Sequence, residues 1–398
     1  MSGNAGLNRV QAEVIRSPKE SHNCMIFNHL RAKKALEGED LDGIVALSPE
    51  SVFYLSNYWA SSYVIRDRIS ICAFFKEANP CLIIVPQDVA WSKEFSWVED
   101  IKSYNEFGKG GAQVYSSPFL ALQSAFEERG LRNARIGVEG NVLSRVVLNK
   151  LTRIPGVKIA VTDSLFKRMR SVKSPDEIAR LKRAAISTAA GYETAREVAR
   201  PGMTERMVAS EAMAAMIKAG GDGIKFFFMG AGPQCGMVHN VPGDYALKRR
   251  DIIHMDVGAT HLGYCGDLAG DVFVGRPERK IRESYERLVA IQEATIDACK
   301  PGVRASEVFQ RGIEVAKKVM PEYNRLFVGH GIGLEVHEMP FLAAWDDTAL
   351  EPGMVLAIEH RAMTSGTLGG LHIEDMIVVT SHRHERISRL TRDYDAQT

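Results

Sequence analysis

Two strand hairpins that each carry a pair of acids constrain this chain more than any other feature. The stretch from Asp251 to Val274 reads as two β-strands joined by a tight turn at His261-Leu262-Gly263. A turn centred there sets Asp256 opposite Asp267. Directly opposed residues have Cβ atoms roughly 5 Å apart on one face of the sheet. Like charges so placed repel, and burial strengthens the repulsion, so something positive has to sit between them. The same arithmetic holds near the C-terminus. Met354 to Arg361 and Leu371 to Val379 flank a turn region at Thr364 to Gly370, and folding about Gly366-Thr367 sets Glu359 opposite Glu374. Both strands are otherwise mostly apolar, which turns these carboxylates toward a buried surface.

Between the hairpins lies Val328-Gly-His-Gly-Ile-Gly-Leu-Glu-Val-His-Glu-Met-Pro340. Glycines on both sides of His330 let the backbone come close to a site, and His337 follows seven residues later. Each element alone has a plain structural reading: an Asp near a strand end caps a turn, a lone His is a satisfied structural histidine, and Glu-Asp before an apolar strand is a solvated edge. Together, four carboxylates and an imidazole make a hard, oxygen-rich environment suited to divalent Mn, Fe, Co or Zn. Because carboxylates bridge, two ions about 3.5–4 Å apart is the natural arrangement.

The rest of the chain bounds the alternatives. With 398 residues there is room for two domains, and 45% hydrophobic against 25% charged residues is ordinary for a globular protein. The 50 basic and 49 acidic residues nearly cancel, which gives no one-signed field to hold nucleic acid or an anionic membrane. The first twenty residues have no apolar core of the kind a secretory signal needs. Apolar runs such as Ile69 to Phe75 and Cys81 to Val85 fall far below the roughly 20 residues that span a bilayer. Six cysteines, at 24, 72, 81, 235, 265 and 299, show no paired spacing and read as reduced thiols, hence a cytoplasmic chain.

Along the first third, helix-like and strand-like segments alternate. Met25–Leu36 reads as a helix, and Gly43–Ser48, Ser51–Leu55, Ile69–Phe75 and Cys81–Val85 as strands. A helix over Pro118–Arg129, a strand at Ala134–Val138, a helix near Leu143–Leu151 and a strand at Val157–Val161 follow, which predicts a layered α/β domain. No phosphate-loop or dinucleotide fingerprint accompanies it. A basic stretch from Lys167 leads to Ser174-Pro-Asp-Glu177, a capping box with Pro175 as the first helical residue. The domain boundary is placed near 165, giving domains 1–165 and 166–398. The second domain contains an echo: Pro201-Gly and Pro301-Gly each separate two helices about a hundred residues apart, which hints at two related halves.

These residues resemble the creatinase, prolidase and methionine aminopeptidase superfamily of the "pita-bread" fold. The matching motifs are Asp256-x-Gly258 with Asp267, Gly329-His-Gly-Ile-Gly-Leu-x-x-His-Glu-x-Pro340, Leu350-Glu-Pro-Gly-Met-Val355 with Glu359, and Ile373-Glu-Asp375. Leu41-Asp-Gly-Ile-Val-Ala-Leu-Ser-Pro-Glu50 before Tyr54-Leu looks like the prolidase-type N-domain. The resemblance implies an α/β N-terminal domain plus an α+β pita-bread C-terminal domain with pseudo-two-fold halves. It also implies a homodimer in which one N-domain borders the partner's site. By resemblance, Asp256, Asp267, His330, Glu359 and Glu374 carry two divalent ions, manganese first, with Asp267 and Glu374 bridging. Glu359 then serves as general base toward the attacking water, His239 lies on the substrate side, and His337 stabilises the tetrahedral intermediate.

Three positions depart from that pattern. Leu326 stands where prolidases usually carry a further histidine, His372 where they carry an arginine, and Ala269-Gly270-Asp271 where they carry Thr-Arg-Thr. Asp271 shares the face of Asp267 and could reach the metal shell, bind a cationic substrate group, or pair with a nearby base. Arginines in such places orient carboxylates, so their loss loosens selection of a dipeptide with proline second. The resulting expectation is a dinuclear metallohydrolase of an amide or peptide C–N bond in a small molecule or short peptide. A true Xaa-Pro dipeptidase or aminopeptidase is the first alternative. A metal-free creatinase-like amidinohydrolase, a lyase or a binding relative on the same fold is the second. The loop Asn57-Tyr-Trp-Ala-Ser-Ser-Tyr63 either borders a partner's pocket or is simply packed.

Overall fold

A computed structural model describes residues 25–59, 65, 68–109, 114–363, 370–388 and 390–392. The N-terminal segment read for a signal, Cys24, the turn at Gly366-Thr367 and the end of the Asn57–Tyr63 loop lie outside the described residues. The described residues divide into two compact units between Arg170 and Ser171.

The first unit is a six-stranded mixed sheet in the order β4-β3-β2-β1-β5-β6, with β1 at Gly43–Ala46, β2 at Ile71–Phe75, β3 at Cys81–Ile84, β4 at Asp100–Ser103, β5 at Ala134–Val138 and β6 at Val157–Val161. Strand β1 runs antiparallel to β2 and parallel to β5. Helix Pro118–Glu128 packs on β3 and β4 through its apolar face, around Phe75, Leu122, Phe126 and Ile136. This is the expected α/β domain, and two of its differences from expectation are instructive. Ser51–Leu55, expected as a strand, belongs to helix Pro49–Ser56. Its apolar run suggested extension, but the cap decides: the Ser48 hydroxyl accepts from the Ser51 N–H at 3.1 Å, Pro49 starts the helix, and Asn57 at φ 61° ends it. Strand β4 escaped notice because Asp-Ile-Lys-Ser is a charged sheet edge without apolar alternation.

The second unit holds two sheets and two pairs of helices. Ser174 and Glu177 form the predicted capping box at the head of helix Pro175–Val198. Helices Pro175–Val198 and Glu205–Lys218 pack together beside a sheet of β7 (Gly223–Ala231), β8 (Ile252–His261), β9 (Tyr264–Cys265) and β10 (Leu268–Phe273), ordered β10-β8-β7 with β9 on β8. Helices Arg279–Ala298 and Ala305–Val319 pair likewise beside β11 (Phe327–Gly331), β12 (Glu338–Ala343), β13 (Val355–Met363), β14 (Gly370–Val379) and β15 (His384–Arg386), ordered β12-β11-β13-β14-β15.

The echo between the halves is real at atomic level. Gly202 and Gly302 both adopt left-handed φ, of 90° and 86°. Their N–H groups donate to Leu247 and Leu350 carbonyls at 2.9 and 2.8 Å, and Thr204 and Arg304 each form one bridge to the far end of their half, at Ala246 and Ala349. Strand β10 packs on β14, so the two sheets meet where both acidic hairpins lie. Among the described residues no helix is long and apolar enough to cross a membrane.

Candidate metal centre

The first hairpin turns through two residues with positive φ, Leu262 at 46° and Gly263 at 86°. That is the backbone of a two-residue turn whose twist matches its strands. It pairs His261 with Tyr264 and carries the register on to Asp256 opposite Ala269. The expected direct opposition of Asp256 and Asp267 is therefore corrected. Asp267 stands two residues before Ala269, diagonal to Asp256 but on the same face, since side chains alternate with period two. A side chain has no room on Gly258, the neighbour of Val257 on the partner strand: a Cβ there would lie 2.4 Å from the Gly266 carbonyl oxygen.

The second hairpin follows the expected register, with Glu359 directly opposite Glu374. Alternation sorts its polar residues. His360 turns away from the site toward Thr295 and Tyr323, and Asp375 accepts from Gln292 at 2.9 Å. Glu359, Arg361, His372 and Glu374 share the other face.

Three groups converge most closely. His330 Nε2 lies 3.7 Å from Asp267 Oδ2 and 4.0 Å from Glu374 Oε1, and all three residues are buried. Burial first, then the charges of Asp256 and Glu359, pushes the Asp267 carboxyl well above the usual range; burial and Asp267 do the same to Glu374. Burial, with His337 beside it, lowers His330 to about 4. A neutral imidazole facing two carboxyls that stay ionised together only beside added positive charge is the donor chemistry of a divalent cation site, so these residues fit the group.

The other two expected ligands are differently placed. Arg361 donates to Asp256 at 2.9 Å and lies 3.8 Å from Glu359, while Arg325 donates to Glu359 at 2.8 Å. For this half of the site, the positive charge that the facing acids require comes from within the chain. Burial raises Asp256 to about 7 against the opposing pull of Arg361. Burial would raise Glu359 too, but His372 and Arg325 hold it below the usual carboxylate range.

Sequence reasoning missed Arg361 and His254. Both were legible, since each stands two residues from an acid already singled out and so shares its face. Arg325 precedes β11, and no spacing rule pointed to it. His254, Asp256 and His372 form a second cluster with donor atoms within 4.8 Å of one another. Asp271, left open between metal shell, substrate group and basic partner, accepts from the His372 backbone N–H at 2.9 Å and has an oxygen 3.9 Å from His254 Nδ1.

The two histidines given substrate-side roles lie close by. The His337 ring is 4.2 Å from that of His330. His239 is exposed, with its ring 4.8 Å from Phe228, which pairs with Asp256 across β7 and β8. Buried Glu205 fixes both ends of the segment carrying His239, accepting from Ala231 N–H at 2.7 Å and Gly243 N–H at 2.8 Å.

Comparison with known proteins agrees with this geometry. Residues 179–381 match the model of metallopeptidase family M24, and residues 29–172 match the creatinase/prolidase N-terminal domain. An Xaa-Pro dipeptidase of Pyrococcus horikoshii is 27% identical over 91% of this chain and 98% of its own. One from Pyrococcus furiosus is 30% identical over 65% of this chain and 74% of its own. Among solved structures, an Xaa-Pro dipeptidase from Bacillus anthracis superposes with a TM-score of 0.81 at 26% identity, covering 92% of this chain and 98% of that one. The prolidase from Pyrococcus furiosus gives 0.76 at 26% identity, covering 90% and 100%. Paired acidic hairpins, doubled helix pairs and both family matches lead to one conclusion: the chain belongs to metallopeptidase family M24, as a two-domain pita-bread hydrolase of peptide C–N bonds that uses divalent metal ions.

Proposed function

We propose that this chain cleaves short peptides or closely related small amides, with Xaa-Pro dipeptides as the first substrates to assay. The observation that carries this is the convergence of Asp267, His330 and Glu374, with Glu359 beside them. Asp267, His330, Glu374, Asp256 and Glu359 would hold two divalent ions, manganese first and iron, cobalt or zinc next. Such ions, when bound, polarise a carbonyl and acidify water. Glu359, kept ionised by His372 and Arg325, would take the proton from the attacking water and pass it to the leaving nitrogen. His337 would donate to the oxygen on which charge develops, and His239 would border the substrate.

The relatives named Xaa-Pro dipeptidase favour that specificity. The departures broaden it: Leu326 is 74% exposed, and the neutral ring of His372 replaces an arginine. We further propose a homodimer and a cytoplasmic setting. The free, buried cysteines Cys72, Cys81 and Cys299 support a reducing compartment. The test is hydrolysis of a panel of Xaa-Pro dipeptides and tripeptides beside proline-free dipeptides and small amides, using manganese-loaded protein of measured oligomeric state. Turnover of Xaa-Pro dipeptides supports the specificity. Turnover confined to other amides keeps the reaction and discards it, and inactivity on all of them contradicts the hydrolase.

A further inference from the structure

Two of the residues that depart from the family pattern, Asp271 and His372, lie together with His254 and Asp256. His254 and Asp256 lie on one face of β8, and His372 lies on β14, which packs beside it. Their donor atoms lie within 4.8 Å of one another. Divalent ions bind nitrogen and oxygen donors at roughly 2.0–2.2 Å, so donors of one ion stand about 3–4 Å apart, and a small closure joins these three. Among the polar atoms here, His254 Nε2, His372 Nδ1 and Arg361 Nε are buried without a hydrogen bond, while His372 Nε2 lies 3.3 Å from Glu359 Oε2. His254 and His372 are 3% and 2% exposed, and both line one small cavity together with Cys235, Val238, Leu371 and Arg361. Buried polar groups are almost always satisfied, so the unpaired imidazole nitrogens of His254 and His372 at one cavity call for an occupant that accepts lone pairs.

We propose that His254, Asp256 and His372 form a nitrogen-rich seat for one divalent cation, adjoining the oxygen-rich seat at Asp267, His330 and Glu374. This rests on the metallohydrolase reading and makes its two ion positions chemically unequal. Two imidazoles and one carboxylate favour zinc, iron or cobalt, whereas the oxygen-rich seat suits manganese. Asp271, with Oδ1 3.9 Å from His254 Nδ1, would be the carboxylate that orients this histidine once it ligates an ion. Arg361 holds an Asp256 oxygen at 2.9 Å, so guanidinium and ion compete for that aspartate.

The test loads chelator-stripped full-length protein with Zn2+ and measures bound zinc per chain together with the zinc X-ray absorption spectrum. Wild type is expected to hold two ions whose spectrum counts three imidazoles shared between them. His254→Gln and His372→Gln are each expected to lose one ion. Asp271→Asn should weaken that ion about 10–100-fold. The wild-type spectrum needs no variant and stays informative if a substitution fails to fold. One ion with a single imidazole, lost in His330→Gln, would overturn the second seat and leave the hydrolase reading standing, as would two ions retained in both His254→Gln and His372→Gln. Zinc absent from the wild type would remove both.

Discussion

The two acidic hairpins carry the same kind of cargo on different frameworks. In β13 and β14 the glutamates face each other directly, Glu359 against Glu374. In β8 and β10 the aspartates are staggered, because the Leu262-Gly263 turn sets Ala269 against Asp256. Direct opposition concentrates charge at one point of the second hairpin. Stagger lengthens the acidic face of the first, from Asp267 past Asp256 to Asp271. The environments divide differently: Asp267 and Glu374, from different hairpins, share His330, while Asp256 and Glu359 are held by Arg361 and Arg325. Chemistry is thus partitioned across the hairpins rather than within either one.

The largest effect that sharpens this comparison is expected at Glu359. Glu359→Gln keeps shape and register but removes the proton acceptor, and should lower kcat by about 10²–10⁴-fold with the fold retained. Steady-state kinetics beside a thermal melt check it; unchanged turnover would strip Glu359 of the role and leave the second hairpin as a ligand carrier only. His337→Ala should cost about 10²-fold in kcat with a smaller change in KM, as expected for a donor used mainly in the transition state. A change confined to KM would make His337 a substrate contact.

Much of this was legible in the sequence, for identifiable reasons. Glu359 against Glu374 followed from counting alone, because a period of two leaves few registers that bury both apolar faces. The cap at Ser174 and the Pro-Gly echo were likewise local signals. What stayed hidden depended on turn geometry and on arrivals from elsewhere in the chain. The two-residue displacement of Asp267 follows from left-handed φ at Leu262, a residue that rarely adopts it. Arg325 reaches Glu359 across 34 residues, and nothing in its neighbourhood announces that. Helix Pro49–Ser56 departs from the expected strand because its Ser48-Pro49-Glu50 start, akin to Ser174-Pro175-Asp176, outweighs the apolar run that suggests extension.

Smaller effects probe the framework of the first hairpin. Gly258→Ala places a methyl 2.4 Å from the Gly266 carbonyl oxygen, and should destabilise the protein by about 1–3 kcal/mol in denaturant unfolding. An unchanged midpoint would mean that the staggered hairpin is not crowded there. The mildest expected effect is at Glu177, which accepts from Tyr264 of β9 at 2.9 Å and is raised to about 7 by burial. A carboxyl whose folded pKa is raised binds its proton more tightly when folded. Its stabilising contribution is therefore full below about pH 4.5 and lost as pH climbs to about 7. Glu177→Gln should flatten that part of the pH–stability curve, and unfolding at pH 5 and pH 8 measures it; an identical slope in the variant would contradict the assignment.

The most direct test of the account is a crystal of the full chain grown with Mn2+ and measured across the manganese absorption edge. An anomalous peak bonded to Asp267, His330 and Glu374 is the predicted result. No peak at that position at saturating metal, with the Asp267 and Glu374 carboxyls sharing a proton instead, would contradict it.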